Sequence, residues 1–175
     1  TGIDEENDIS LNLGYEFLPK NRIGLIYNLF DANGIGDPGT LAPGYYKDLD
    51  DYDDKKLETF DFMYEGATQD ELFSWKARYF TAEDKNTYYA VNSTSTLIDR
   101  ETTTDPQGAQ AQVTWNPRNY RLTAGFDWVN YDIKSTGQPQ KAEYDNPSYF
   151  LLGKANYFND QLILSAGMRY DQYDF

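Results

Sequence analysis

The fold class follows from residues 9–17, which read ISLNLGYEF. Apolar side chains alternate with polar or small ones along the whole stretch. This period of two is typical of a β-strand with one apolar and one polar face. Residues 23–29 repeat the pattern after a segment that contains Pro19 and Asn21. Because proline and asparagine favour turns, the two strands are predicted to form a hairpin.

Three further pairs of segments show the same alternation, so the sequence predicts eight strands. They lie at residues 59–65 and 73–79, 109–115 and 120–128, and 149–157 and 162–170. Opposed residues of an antiparallel hairpin share a face, and apolar residues can be opposed in every hairpin. The predicted registers pair Phe17 with Ile23, Phe62 with Trp75, Trp115 with Tyr120, and Tyr157 with Leu162.

The connections between these strands alternate in length. Residues 18–22, 66–71, 116–119 and 158–161 are short, whereas residues 31–54, 83–107 and 132–147 are long and rich in Asp, Thr, Tyr, Gly and Pro. Strands of about 10 residues with tight turns at one end and long loops at the other are typical of outer-membrane barrels. We therefore expect an all-β, antiparallel up-and-down transmembrane β-barrel with short periplasmic turns and long extracellular loops.

The composition agrees with this class and excludes others. The chain has 175 residues, a formal net charge of −14, neither Cys nor His, and 17% aromatic residues. Disulfides and His-ligated metal sites are thereby excluded, and the negative charge argues against binding to nucleic acid. An alternating strand needs only every second residue to be apolar in order to face lipid. In this interpretation Leu13, Phe62, Trp75 and Leu164 meet lipid tails.

The number of long loops indicates a part of a larger barrel. A complete eight-stranded barrel that begins and ends in the periplasm has one more long loop than short turns. This sequence shows the reverse, with short turns outnumbering long loops. Residues 1–175 are therefore expected to form a partial outer-membrane β-barrel domain, a fragment of a larger barrel.

Several segments resemble strands of TonB-dependent outer-membrane receptors. Residues 162–173 read LILSAGMRYDQY, residues 7–15 read NDISLNLGY, and residues 22–38 contain the segment DANG where a loop would start. The resemblance implies a barrel of about 22 strands with a plugged lumen, in the bacterial outer membrane and surrounded by its lipid. It also implies import of a scarce large solute, such as a ferric siderophore or cobalamin, and no enzymatic activity. A TonB-type protein would supply energy through a plug domain that these residues do not include.

Two groups of residues are candidates for binding. Tyrosines in the long connections are expected to contact the solute, and charged residues on the polar face are expected to form cross-strand pairs or to contact it. The tyrosines are Tyr45, Tyr46, Tyr52, Tyr88, Tyr89 and Tyr144, and the charged residues are Asp61, Glu65, Lys76 and Arg78. The predicted registers oppose Asp61 to Lys76. Basic residues at the short turns, such as Arg121, are expected only to aid solubility and orientation.

The first long connection is rich in aspartate. Its carboxylates are Asp48, Asp50, Asp51, Asp53 and Asp54. Calcium takes six to eight oxygen ligands, so these residues could hold a calcium ion. The alternative is a solvated acidic surface.

Other functions remain open from the sequence. A passive porin-type channel would show the same strands without a plug. A soluble β-sandwich binding module or a glycan-active enzyme would use the same alternation to build an apolar core. An adhesive outer-membrane protein is a further alternative.

Overall fold

The computed structural model describes residues 3–36, 51–91, 96–136 and 138–173, and eight strands account for most of them. The strands form one antiparallel sheet in which each strand pairs with the next along the chain. They are β1 (Glu5–Leu18), β2 (Asn21–Gly36), β3 (Tyr52–Ala67), β4 (Phe73–Val91), β5 (Thr96–Trp115), β6 (Tyr120–Ser135), β7 (Gln138–Tyr157) and β8 (Leu162–Asp171). In these described ranges no helix is long and apolar enough to cross a membrane.

The predicted all-β, up-and-down arrangement is confirmed, and its eight strands fall where the alternation places them. The sheet is open. Among the described residues, β1 pairs only with β2 and β8 pairs only with β7. Both outer edges of the sheet therefore carry rows of backbone groups that no neighbouring strand satisfies.

The predicted registers are correct in one hairpin and wrong in three. Tyr157 does oppose Leu162. Tyr15 opposes Ile23, Phe62 opposes Tyr79, and Trp115 opposes Leu122. Each error moves the pairing by an even number of residues, so every side chain keeps its face. Alternation fixes the face, but turn geometry fixes the position along the strand, as at Lys20 with its φ of 63°.

Two of the three predicted long loops are wrong. Residues 83–107 and 132–147 lie mostly in strands. β4 ends only at Val91 and β5 begins at Thr96, while β6 ends only at Ser135 and β7 begins at Gln138. These extensions carry polar residues on both faces, which removes the apolar alternation that marks a strand in sequence. Threonine, frequent in residues 83–107, favours extended backbone. Of the third connection, residues 37–50 lie outside the described residues.

The described residues of the sheet form no hydrophobic core. Ala32 is the one fully buried apolar residue among those described, whereas Leu13 is 52% exposed and Leu164 is 53% exposed. Phe62 is exposed and Trp75 is half-buried. We call the face that carries these four residues the outer face. The described strands form one layer, so no second sheet of a β-sandwich covers it.

The opposite face, called here the inner face, contains large side chains that lie over glycines of the neighbouring strand. Phe150 of β7 is directly opposite Gly125 of β6, and Phe80 of β4 is directly opposite Gly108 of β5. A Cβ atom added at either glycine would collide with the opposed ring. Glycine at these positions lets an aromatic side chain lie flat across the strand beside it.

Replacing Gly125 with Ala tests this packing. The added Cβ would lie 2.6 Å from Cε1 of Phe150 and 2.9 Å from the carbonyl oxygen of Ala111, which cannot rotate away. We expect a loss of about 1–3 kcal/mol in the free energy of unfolding, measured by urea denaturation in detergent micelles. Gly153→Ala is the matched control, since its Cβ would meet nothing closer than 3.9 Å. Equal stability of the two variants would contradict the close packing of Phe150.

Candidate functional site

The inner face forms a concavity that spans β3 to β8. Its volume is about 730 Å³, and we call it the inner groove. The polar and charged side chains of the inner face that line it are Glu65, Lys76, Arg78, Gln110, Gln112, Asp127 and Arg169. Three of the four charged residues singled out from the sequence therefore line one concave surface, and the fourth, Asp61, lies on the same face.

Ion pairs connect these charges across neighbouring strands. Arg78 donates from Nε to Oδ2 of Asp61 at 2.7 Å and bonds the same oxygen through Nη2. Nζ of Lys76 lies 3.5 Å from Oε2 of Glu65. The predicted pairing of Asp61 with Lys76 is wrong, because the register of β3 and β4 places Lys76 opposite Glu65 instead. The guanidinium of Arg78 also lies over the Phe80 ring, 4.9 Å from its centre.

A second network on the inner face escapes the sequence analysis. Nη1 of Arg169 lies 2.6 Å from Oδ2 of Asp127, and its Nε donates to Oδ1 of Asp171 at 2.8 Å. Ser148, which is fully buried, donates its hydroxyl to the same Asp171 oxygen at 2.6 Å. Alternation places these residues on the polar face, but only the three-dimensional register shows that Arg169 reaches across β7 to Asp127.

The outer face carries an apolar band whose edges are aromatic. Toward the short turns the band ends at Phe17, Trp115, Tyr120 and Tyr157, and toward the opposite end it reaches Tyr27, Tyr79, Trp128 and Tyr170. Beyond that second edge the same face becomes charged, with Glu58, Lys56, Glu83, Lys85, Asp132, Lys134, Lys141 and Glu143. We call this edge the upper boundary, and the strand segments beyond it the upper extension.

The upper boundary runs obliquely to the strands. A line of directly opposed residues from Tyr170 on β8 crosses the sheet and reaches Tyr15 on β1. The apolar band on β1 nevertheless continues to Ile9, which is about 20 Å farther along the strand. The eight strands span seven inter-strand spacings, or about 34 Å across the sheet. An offset of about 20 Å over this width means that the strands are tilted by about 30° from the perpendicular to the band's edge.

The upper extension separates the predicted binding tyrosines between the two faces. Tyr144 lies on the inner face, where its ring centre is 6.1 Å from that of Tyr131 and 6.1 Å from that of Tyr173. Tyr88 is also on the inner face and donates its hydroxyl to Asp51. Of the four other predicted tyrosines, Tyr52 and Tyr89 stack on the outer face with their ring centres 4.7 Å apart. Tyr45 and Tyr46 lie outside the described residues.

The aspartates of the predicted calcium site do not converge in the described part of the chain. Asp53 lies on the inner face, whereas Asp54 lies on the outer face, where its Oδ1 accepts a hydrogen bond from the Gly34 amide at 2.9 Å. Asp48 and Asp50 lie outside the described residues. The described ranges contain no group of three acidic side chains close enough to hold a metal ion. Calcium binding stays a prediction.

Ion pairs on the upper extension shift the titration of its charged groups. Lys141 binds Asp132 with Nζ 2.8 Å from Oδ2, and this hydrogen bond lowers the pKa of Asp132 and raises that of Lys141. Burial, together with the charge of Asp54, raises the pKa of Tyr89. Asp132 and Lys141 are therefore both charged near neutral pH, so the outer face beyond the upper boundary carries charge where the band below it is apolar.

Comparisons with protein-family models, curated proteins and solved structures find no match to this chain.

Removing the carboxylate from each of the two ion pairs, Asp61–Arg78 and Glu65–Lys76, should lower the free energy of unfolding by different amounts. The side chain of Asp61 is 14% exposed and holds Arg78 through two hydrogen bonds, so Asp61→Asn should lower the free energy of unfolding by about 1–2 kcal/mol. Glu65→Gln is the control, since both members of that pair are largely exposed, and its cost should stay below about 0.5 kcal/mol. Urea denaturation in micelles measures both values. A larger loss for Glu65→Gln would contradict the assignment.

Proposed function

We propose that this chain is part of an outer-membrane β-barrel, with the outer face in lipid and the inner face around an aqueous or plugged lumen. The observation that carries the proposal is the apolar band of the outer face. It lies uncovered, has aromatic residues at both edges, and gives way to charge beyond the upper boundary. Water-exposed sheets do not normally present such a surface. The lipid-facing side of an outer-membrane barrel does, because it has an apolar band with aromatic residues at both edges.

The dimensions of the band support this proposal. On β7 it extends from Tyr149 to Tyr157. At about 3.3 Å per residue and a tilt of about 30°, this length corresponds to a band about 23 Å tall. Barrels of the outer membrane have apolar bands about 25 Å tall and strands tilted by about 35–45°.

The open edges support a larger barrel. Backbone N–H and C=O groups have no water to bind in the hydrocarbon layer, so an unpaired strand edge cannot face lipid. β1 and β8 each pair on one side only in the described residues. In a membrane both edges must therefore be paired, and we propose that further strands of the same barrel pair with them.

The specific activity that we propose is energised import of a large solute, such as a ferric siderophore or cobalamin, by a TonB-dependent receptor. The support is the resemblance of residues 7–15 and 162–173 to strands of that family. The tyrosines on the inner face of the upper extension, Tyr88, Tyr131 and Tyr144, would be the first aromatic surface that a solute meets. A passive porin is the second candidate, because its pore would also have rows of charges like those of the inner groove.

Tryptophan quenching tests insertion of the outer face into lipid. All three tryptophans, Trp75, Trp115 and Trp128, lie on that face. In vesicles of phospholipid brominated on the acyl chains, we expect at least about half of the fluorescence to be quenched, because the rings lie within the lipid layer. Vesicles of the same lipid without bromine are the control. Full quenching by aqueous iodide with no effect of bromine would contradict a lipid-facing band.

Solute uptake distinguishes the two candidate functions. The measurement is uptake of iron-labelled siderophores and labelled cyanocobalamin by the host bacterium, with and without the gene for this protein. A transporter predicts that uptake of one solute disappears when either this gene or the energising TonB-type protein is removed. Uptake that does not need the energising protein, together with a permanently open conductance in planar bilayers, would contradict the transporter and support the porin.

A further inference from the structure

We propose that the inner face binds an oxyanion, phosphate or carboxylate, between Arg121 of β6 and Lys154 of β7. The two residues are directly opposite each other in the register of the strands, at the end of the sheet that carries the short turns. Directly opposed residues have Cβ atoms about 4.5–5.5 Å apart. Two positive side chains are therefore held next to each other, an arrangement that destabilises a sheet unless something neutralises it.

On the inner face below the upper boundary, the other basic residues of the strands lie next to carboxylates. Arg22 lies opposite Glu16 on one side and opposite Glu65 on the other. Three other basic residues bind a carboxylate on a nearby strand, namely Lys76, Arg78 and Arg169. Within the described ranges, Arg121 and Lys154 form no ion pair with any carboxylate. The chain has 29 acidic and 15 basic residues. Because acidic residues outnumber basic ones, two neighbouring basic residues that bind no carboxylate are unexpected.

The space around the pair has room and donors for an anion. A concavity of about 540 Å³ is lined by Arg121, Lys154, Ser165 and Gln112. Ser165 of β8 is directly opposite Lys154, so a hydroxyl completes the row on the far side. The next row is closed, because Thr123 is buried and bonds the Thr114 hydroxyl at 2.9 Å. Thr123 and Leu152 oppose each other in that row, and they line the concavity beside the two cations.

The chemistry of these side chains favours an oxyanion. A guanidinium binds two oxygens of a phosphate or carboxylate in parallel, and an ammonium adds a compact charge. The serine hydroxyl and the Gln112 amide are neutral donors at the same concavity. With an oxyanion between Arg121 and Lys154, repulsion between the two cations becomes attraction of both to one partner. The site does not depend on the transport activity proposed above.

Thermal unfolding in an uncharged maltoside detergent tests the site. Sodium phosphate is exchanged for sodium chloride at constant ionic strength, and the midpoint should rise by about 2–4 °C in the unmodified protein. Arg121→Gln should abolish the rise. Lys76→Gln, which removes a basic residue already paired on the same face, should retain it. An equal rise in all three proteins, or none in the unmodified protein, would overturn the proposal.

Repeating the measurement with sodium acetate in place of sodium phosphate shows which class of oxyanion the site binds. A rise with both anions assigns the site to carboxylates as well as phosphates. A rise with phosphate alone assigns it to phosphate or a phosphoryl group. Both results require the response to depend on Arg121.

Lys154→Glu gives a second, independent test. The substitution places a carboxylate opposite Arg121, so the chain supplies its own anion at the site. The midpoint without phosphate should increase, and the response to phosphate should disappear. A lower midpoint, or an unchanged response to phosphate, would overturn the proposal even if Arg121→Gln failed to fold.

Discussion

Successive side chains of a β-strand point to opposite faces, and in all eight described strands the alternating apolar side chains lie on the same face of the sheet. The result is one sheet with an apolar outer face and a polar inner face. Because the described strands form a single layer, no other element within the described ranges covers either face. The apolar face must therefore obtain its apolar surroundings from outside the sheet, and this requirement underlies the membrane proposal.

The sequence predicted the faces of the strands better than it predicted their alignment. Alternation assigned Phe62 and Tyr79 to the same face, but it could not show that they are directly opposed. Shifts by an even number of residues preserve the apolar match, so hydrophobicity alone cannot choose among them. The position is decided by turns such as the one at Lys20, whose backbone conformation the residue types do not specify.

The candidate site was predictable to the same extent. The inner position of Asp61, Glu65, Lys76 and Arg78 follows from alternation, whereas the ion pairs depend on the register of β3 and β4. The strands beyond the upper boundary were predicted to be loops, because both of their faces carry polar residues and no apolar periodicity remains in the sequence. For the same reason Tyr52 and Tyr144 appeared equivalent in sequence, although they lie on opposite faces.

The length of β4 and β5 has a consequence for how the protein would evolve. β4 continues from Tyr79 at the upper boundary to Val91, and β5 returns from Thr96. At about 3.3 Å per residue this hairpin rises about 40 Å along the strand direction. Val91 and Thr96 are therefore far from the Asp61–Arg78 and Glu65–Lys76 pairs of the inner groove. Substitutions at these strand ends would accumulate without disturbing those pairs.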